Sequence, residues 1–135
     1  VTFPHHEDEA GFTSLQFAVM AFFTMLIFAA AVNLVAMQYQ RGAVRVAIDE
    51  GARHGAAAAH SDLDCELLAE SILRGEQFGL LRGQLGEGID IDCEVVGTEM
   101  VATAVGSSMW WIGGLPDLDF ALEGRAVLET FTEDS

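Results

Sequence analysis

The sequence predicts an α+β protein: a long N-terminal helix, apolar enough to be transmembrane, followed by short helices and a small antiparallel sheet. Three observations predict it. No charged residue stands between Glu9 and Arg41. Beyond residue 60 the apolar spacing is first helical and then strictly alternating. At 135 residues the chain has room for one small domain and one long appendage.

Residues 1–11 read as a leader or polar N-terminal tail. "VTFPHHEDEA" is polar, contains proline and has no period, so it reads as loosely ordered. His5, His6 and the acids after them read as a solvated run rather than a metal site. The long helix is expected over residues 12–58, with Thr13 or Ser14 placed to cap its first amides. From Phe17 to Met37 it is almost unbroken hydrocarbon, interrupted by Thr24 and Asn33. About 20 residues at a rise of roughly 1.5 Å each cross a hydrocarbon core of about 30 Å. The apolar core of a secretory signal is shorter, about 7 to 15 residues, and ends in small residues. Here "VNLVAMQYQR" follows instead.

The second half of the helix, "QYQRGAVRVAIDEGARHGAAAA", is built differently. Ala43, Ala47, Gly51 and Gly55 recur every fourth position and share one face, where a neighbouring helix can approach closely. Arg41, Arg45, Asp49 and Arg53 occupy another side. Beyond the apolar run this half of the helix is expected to be exposed or packed on something.

Residues 59–135 read as a small acidic α+β domain. "SDLDCELLAESILRGEQFGLLRGQL" gives one or two amphipathic helices, capped by Ser61 or Asp62, with Leu67, Leu68, Ile72 and Leu73 inward and Gly75 as a stop. "IDIDCEVVG" alternates, setting Ile89, Ile91 and Cys93 on one side and Asp90, Asp92 and Glu94 on the other. A turn at Gly97 joins it to a second strand, "TEMVATAVG", as a hairpin. "SSMWWIGGLPDLDF" reads as a loop, in which Trp110 and Trp111 either anchor an interface or fill the sheet's core. "FALEGRAVLETF" supplies a last strand.

Charge and chemistry exclude several functions. The formal charge is −15, from 21 acids against six arginines and no lysine. From Ser61 onward 16 acids face only Arg74, Arg82 and Arg125. Such a surface repels phosphate backbones, so no nucleic-acid partner is expected. No nucleophile elbow, zinc-protease helix, phosphate loop or dinucleotide fingerprint occurs, so no catalytic residue, cofactor or metal is assigned. The acids of the alternating strand lack the spacing and glycine of a calcium loop. Cys65 and Cys93 both lie beyond the apolar helix. On an extracytoplasmic side they read as a disulfide, the alternative being two reduced buried thiols.

Four stretches in this order resemble TadE-like pseudopilins and minor pilins, relatives of type IV pilins encoded with tight-adherence pilus systems. They are "GFTSLQFAVMAFF" at the helix start, "AIDEGARHGA" just beyond the apolar run, the helix-then-strands order, and the terminal "LEGRAVLETF". Together they span about residues 11 to 130. The resemblance implies a processing junction between Gly11 and Phe12, cut by a prepilin peptidase. It also implies a helix that assembles with pilin-like helices in homo- or hetero-oligomers, through the Ala43, Ala47, Gly51 and Gly55 face, and partners in the membrane and the pilus assembly machinery. Its domain would be extracytoplasmic, or would sit on an extracellular filament. Five places beyond the junction such proteins carry glutamate, whereas this chain has Gln16. A neutral amide accepts a hydrogen bond but leaves a neighbouring ammonium unneutralised, and a buried unpaired charge is costly. The acidic leader and the arginines after the helix run against the positive-inside rule for that orientation. The competing expectation is an uncleaved single-pass anchor whose ectodomain binds another envelope component.

Overall fold

A computed structural model describes residues 7–57, 61–75, 79–81, 83–108 and 117–129. Helix α1 runs over Glu7–Ala57 and helix α2 over Asp62–Arg74. A 3-10 turn at Gly83–Leu85 leads into strands β1 (Ile89–Val96), β2 (Glu99–Ser108) and β3 (Leu118–Val127). The architecture is the expected α+β layout: a long apolar helix, a short helix and a three-stranded antiparallel sheet in the order β1-β2-β3.

α1 starts at Glu7, five positions before the expected Phe12, and takes in part of the run read as a loose tail. Acidic residues suit the first turn of a helix, whose exposed amides carry partial positive charge. Gly11 lies inside the helix, which passes through it unbroken.

The chain divides into two units, residues 1–36 and 37–135. The division falls within α1 rather than at its end near residue 58, because the second half of the helix supplies core to the C-terminal unit. In the first unit every described side chain from Thr13 to Val32 is exposed. Phe17, Met25 and Ile27 are 76%, 75% and 70% accessible, and they point in different directions around the helix. The Thr24 hydroxyl donates to the Met20 carbonyl at 2.8 Å, satisfying a polar group within its own helix.

In the second unit α1 becomes one-sided. Gln40, Ala43, Val44, Ala47, Ile48, Ala52 and Ala56 are buried, while Arg45, Val46, Glu50, Arg53 and His54 are exposed. The buried strip joins Leu73 of α2, Leu81, Ile89 of β1, Met100 of β2 and Phe120 of β3 in one core. Ser61 caps α2, its hydroxyl accepting from the Asp64 amide at 3.2 Å, and Gly75 follows its last turn. The inward face of α2 is Cys65, Ala69 and Leu73, whereas Leu67 is 57% exposed. Of the expected inward residues Leu73 is buried and Leu68 and Ile72 are half-buried, while Leu67 turns outward and Cys65 and Ala69 take the places beside Gly51 and Gly55.

The sheet follows the alternation closely. In β1, Ile89 and Cys93 are buried, Ile91 is half-buried, and Asp90, Asp92 and Glu94 are exposed. Val96 pairs with Glu99 across a two-residue turn in which Gly97 adopts φ 65°, a conformation costly for any side chain with a Cβ. β2 extends to Ser108, and β3 begins at Leu118 rather than Phe120, so Ser107, Ser108, Leu118 and Asp119 are strand residues instead of loop. The outer backbone edge of β1 is closed by α2. The Cys93 amide donates to Glu66 Oε1 at 3.3 Å, and the Arg74 guanidinium donates to the Ile89 carbonyl.

Candidate assembly and membrane-contact surfaces

Among the described residues one helix is long and apolar enough to cross a membrane, its apolar stretch having a mean hydropathy of 2.3. Gln16 lies in this stretch and is exposed. Gly11 and Phe12 are helical, and the geometry of the helix carries no mark of a junction between them. An apolar helix exposed on all sides suits a surrounding hydrocarbon, because its backbone groups are already paired internally.

The strip expected to meet a neighbouring subunit is occupied within the chain. A methyl group on Gly51 would stand 2.9 Å from Ala69 Cβ and 2.9 Å from the Cys65 carbonyl oxygen. One on Gly55 would stand 2.7 Å from Cys65 Cβ and 3.2 Å from the terminal methyl of Met100. Ala43 and Ala47 are buried in the same core. At Gly51 and Gly55 the helix that approaches this face is therefore α2 of the same chain. Spacing signals a close approach but does not say which helix makes it.

Cys65 and Cys93 form a disulfide, with their Cα atoms 6.2 Å apart. It ties α2 to β1 directly behind Gly55. Two further ties, not foreseen from the sequence, hold α1 to the segment between α2 and β1. The Tyr39 hydroxyl donates to the Leu80 carbonyl at 3.0 Å, and the Gln40 amide donates to the Leu85 carbonyl at 3.1 Å. Their only sequence signal is the polar pair itself, set where the apolar run ends.

Trp110 and Trp111 lie outside the described residues, as do His5, His6 and His60. His54 is exposed on α1. Among the described residues no three histidine, cysteine or acidic side chains converge as metal ligands.

The described cations divide into paired and unpaired. Arg45 approaches Asp49 at 4.0 Å and Arg74 approaches Glu70 at 3.8 Å, both one helical turn apart. On the outer face of the sheet Arg125 pairs with Glu123 and, at 3.5 Å, with Glu99. The hydrogen bond and charge of Glu123, with a lesser contribution from Glu99, raise the Arg125 pKa above its ordinary value. Arg53, exposed near the end of α1, has no hydrogen-bond or ion-pair partner among the described residues. On the outward face of β1, Asp90, Asp92 and Glu94 likewise stand unpaired among them.

The described surface is hydrocarbon along the first half of α1 and charged along the outer face of the sheet. No family model, no curated protein and no solved structure matches this chain.

Proposed function

We propose that this chain is a single-pass, pilin-like structural or assembly subunit, similar to TadE-like minor pilins, with its acidic domain outside the cytoplasm. One observation carries the reading. α1 is exposed hydrocarbon on every side over Thr13–Val32 and core on one side from Gln40 onward. A helix of that kind serves two solvents, lipid or neighbouring apolar helices for its first half and a folded domain for its second. The disulfide supports an oxidising location for the domain. Assembly contacts then fall on the exposed first half, Gln16 included, rather than on the buried small-residue strip.

The unbroken passage of α1 through Gly11 favours a second reading, an uncleaved anchor whose domain binds another envelope component. Intact-mass measurement and N-terminal sequencing of native protein extracted from membranes separate the two. A start at Phe12 supports the subunit, and a retained acidic run supports the anchor. Electron microscopy of cells with and without the chain then asks whether a filament depends on it. Recovery of the full chain in the soluble fraction without detergent would sink both readings.

A further inference from the structure

One end of the second unit collects exposed apolar side chains where the helix leaves its apolar run. That run ends at Met37, and Tyr39 follows almost at once. The Tyr39 hydroxyl donates to the Leu80 carbonyl at 3.0 Å, and the Gln40 amide donates to the Leu85 carbonyl at 3.1 Å. The return segment between α2 and β1 is thereby pinned at the helix exit. The Tyr39 and Leu80 side chains nevertheless stay exposed, at 54% and 36%. β3 reaches the same end. A methyl group on Gly124 would stand 3.3 Å from the backbone of Ile48 and of Asp49, and the strand's last residues line a notch with Arg53 and Ala56. β3 therefore runs in the same direction as α1. At about 3.3 Å per residue, its first residue, Leu118, lies about 20 Å from Gly124 toward the Tyr39 end. Leu118 is exposed as well.

We propose that this end is seated on the bilayer, with Tyr39, Leu80 and Leu118 in the headgroup and glycerol layer of zwitterionic phospholipid. Continuity with the apolar run places the lipid there. A helix that crosses hydrocarbon as far as Met37 carries Tyr39 only about 3 Å beyond it, at roughly 1.5 Å per residue. The hydrogen bond from Tyr39 then brings Leu80 to the same depth. Tyrosine suits that layer, because its ring is apolar while its hydroxyl already has an acceptor. Exposure alone does not select this end. Val96 and Val127 are exposed too, but they lie at the far end of the sheet, where Val127 lines the notch with Arg53 and Ala56. What selects the near end is its tie to the helix exit. Charge selects the lipid. Glu87, Asp117 and Asp119 are exposed close by in sequence, so anionic headgroups are repelled and zwitterionic ones are not. The inference rests on the reading of the chain as a single-pass protein, and adds the contact that seats its domain.

The test uses the full chain, deuterated but with protonated leucine, valine and methionine methyls, in phosphatidylcholine nanodiscs. Nuclear Overhauser cross-peaks to lipid glycerol and upper acyl protons should appear at the Leu80 and Leu118 methyls. They should be several-fold weaker at Val96 and Val127. Tyr39→Phe removes the hydroxyl and keeps the ring, so it should weaken the Leu80 cross-peaks several-fold and spare those of Leu118. Replacing half of the lipid with phosphatidylglycerol at low salt should weaken both sets, and about 0.5 M salt should restore them, because screening is then short-ranged. Leu80 and Leu118 methyls that meet only water would overturn the seat. Cross-peaks that appear only when a protonated second copy shares the disc would overturn it too, in favour of that copy. Leu80 cross-peaks indifferent to Tyr39→Phe, or contacts that strengthen in phosphatidylglycerol, would overturn the tie and the choice of lipid respectively. The exposed Met20, Met25 and Leu26 methyls report on the single-pass reading in the same spectra. Lipid cross-peaks missing there would sink that reading, whereas their presence without those of Leu80 and Leu118 sinks the seat alone.

Discussion

Gly55 stands where a methyl group would lie 2.7 Å from the Cβ of Cys65, inside the distance that real side chains tolerate. Gly42, in the same helix, has nothing within 4 Å of the same position. The pair makes a controlled comparison. Gly55→Ala should destabilise the domain by about 1–3 kcal/mol through overpacking. Gly42→Ala should stabilise it by roughly 0.5–1 kcal/mol through helix propensity alone. Denaturant unfolding in mild detergent measures both, and equal shifts of the same sign would mean that α2 does not press on α1 as described. The same residues show how far the sequence reads at this scale. Spacing of four picks out Ala43, Ala47, Gly51 and Gly55 as a close-contact strip, and the strip is one. A small side chain permits approach without naming the approaching helix, and at Gly51 and Gly55 that helix begins five residues beyond the end of α1. Leu67 misleads for the complementary reason: hydrophobicity points it inward, while the space beside Gly51 and Gly55 admits only Cys65 and Ala69.

Among the elements, α2 has the least support of its own. At 13 residues it is below the length at which an isolated helix holds in water, and it depends on its cap, its packing on α1 and the bridge to β1. The bridge closes a sequence separation of 28 residues, for which chain entropy gives a stabilisation of about 3–4 kcal/mol. Reduction should lower the denaturant midpoint accordingly, and amide exchange should rise first in α2 and along the edge of β1 that Glu66 and Arg74 close. If reduction leaves the midpoint and the exchange pattern unchanged, packing alone holds α2. Strands β1 and β2 were legible because charge and hydrocarbon alternate with period two and a glycine at positive φ separates them. β3 begins two residues before the expected Phe120, because Leu118 and Asp119 follow a stretch of proline, glycine and tryptophan that reads as loop. α1 begins before the expected Phe12 because a polar, acidic run carries no apolar period to announce it, although acids favour a helix's first turn.

At the scale of the whole molecule, sequence hydropathy located the membrane-competent segment, and the change in exposure along α1 follows it. What hydropathy does not carry is the point where the helix stops serving one environment and starts serving another. Tyr39 and Gln40 mark it, through bonds to backbone carbonyls 41 and 45 residues away. Contacts at such separation depend on where the chain returns, which local pattern does not encode. Arg53 and Arg125 line one notch only once the sheet has formed, for the same reason. The core strip of α1 begins at Gln40, and the second unit, from Met37, retains α2, the sheet, the disulfide and the interior they share. A fragment opening at Met37 should therefore remain monodisperse in plain buffer, with the circular dichroism of a mixed helix–strand protein and no free thiol. Aggregation of that fragment would mean that the discarded stretch shelters the rest as well as tethering it. A stable fragment would supply the disulfide-tied half of the chain as a portable reagent, freed of the apolar stretch that demands detergent.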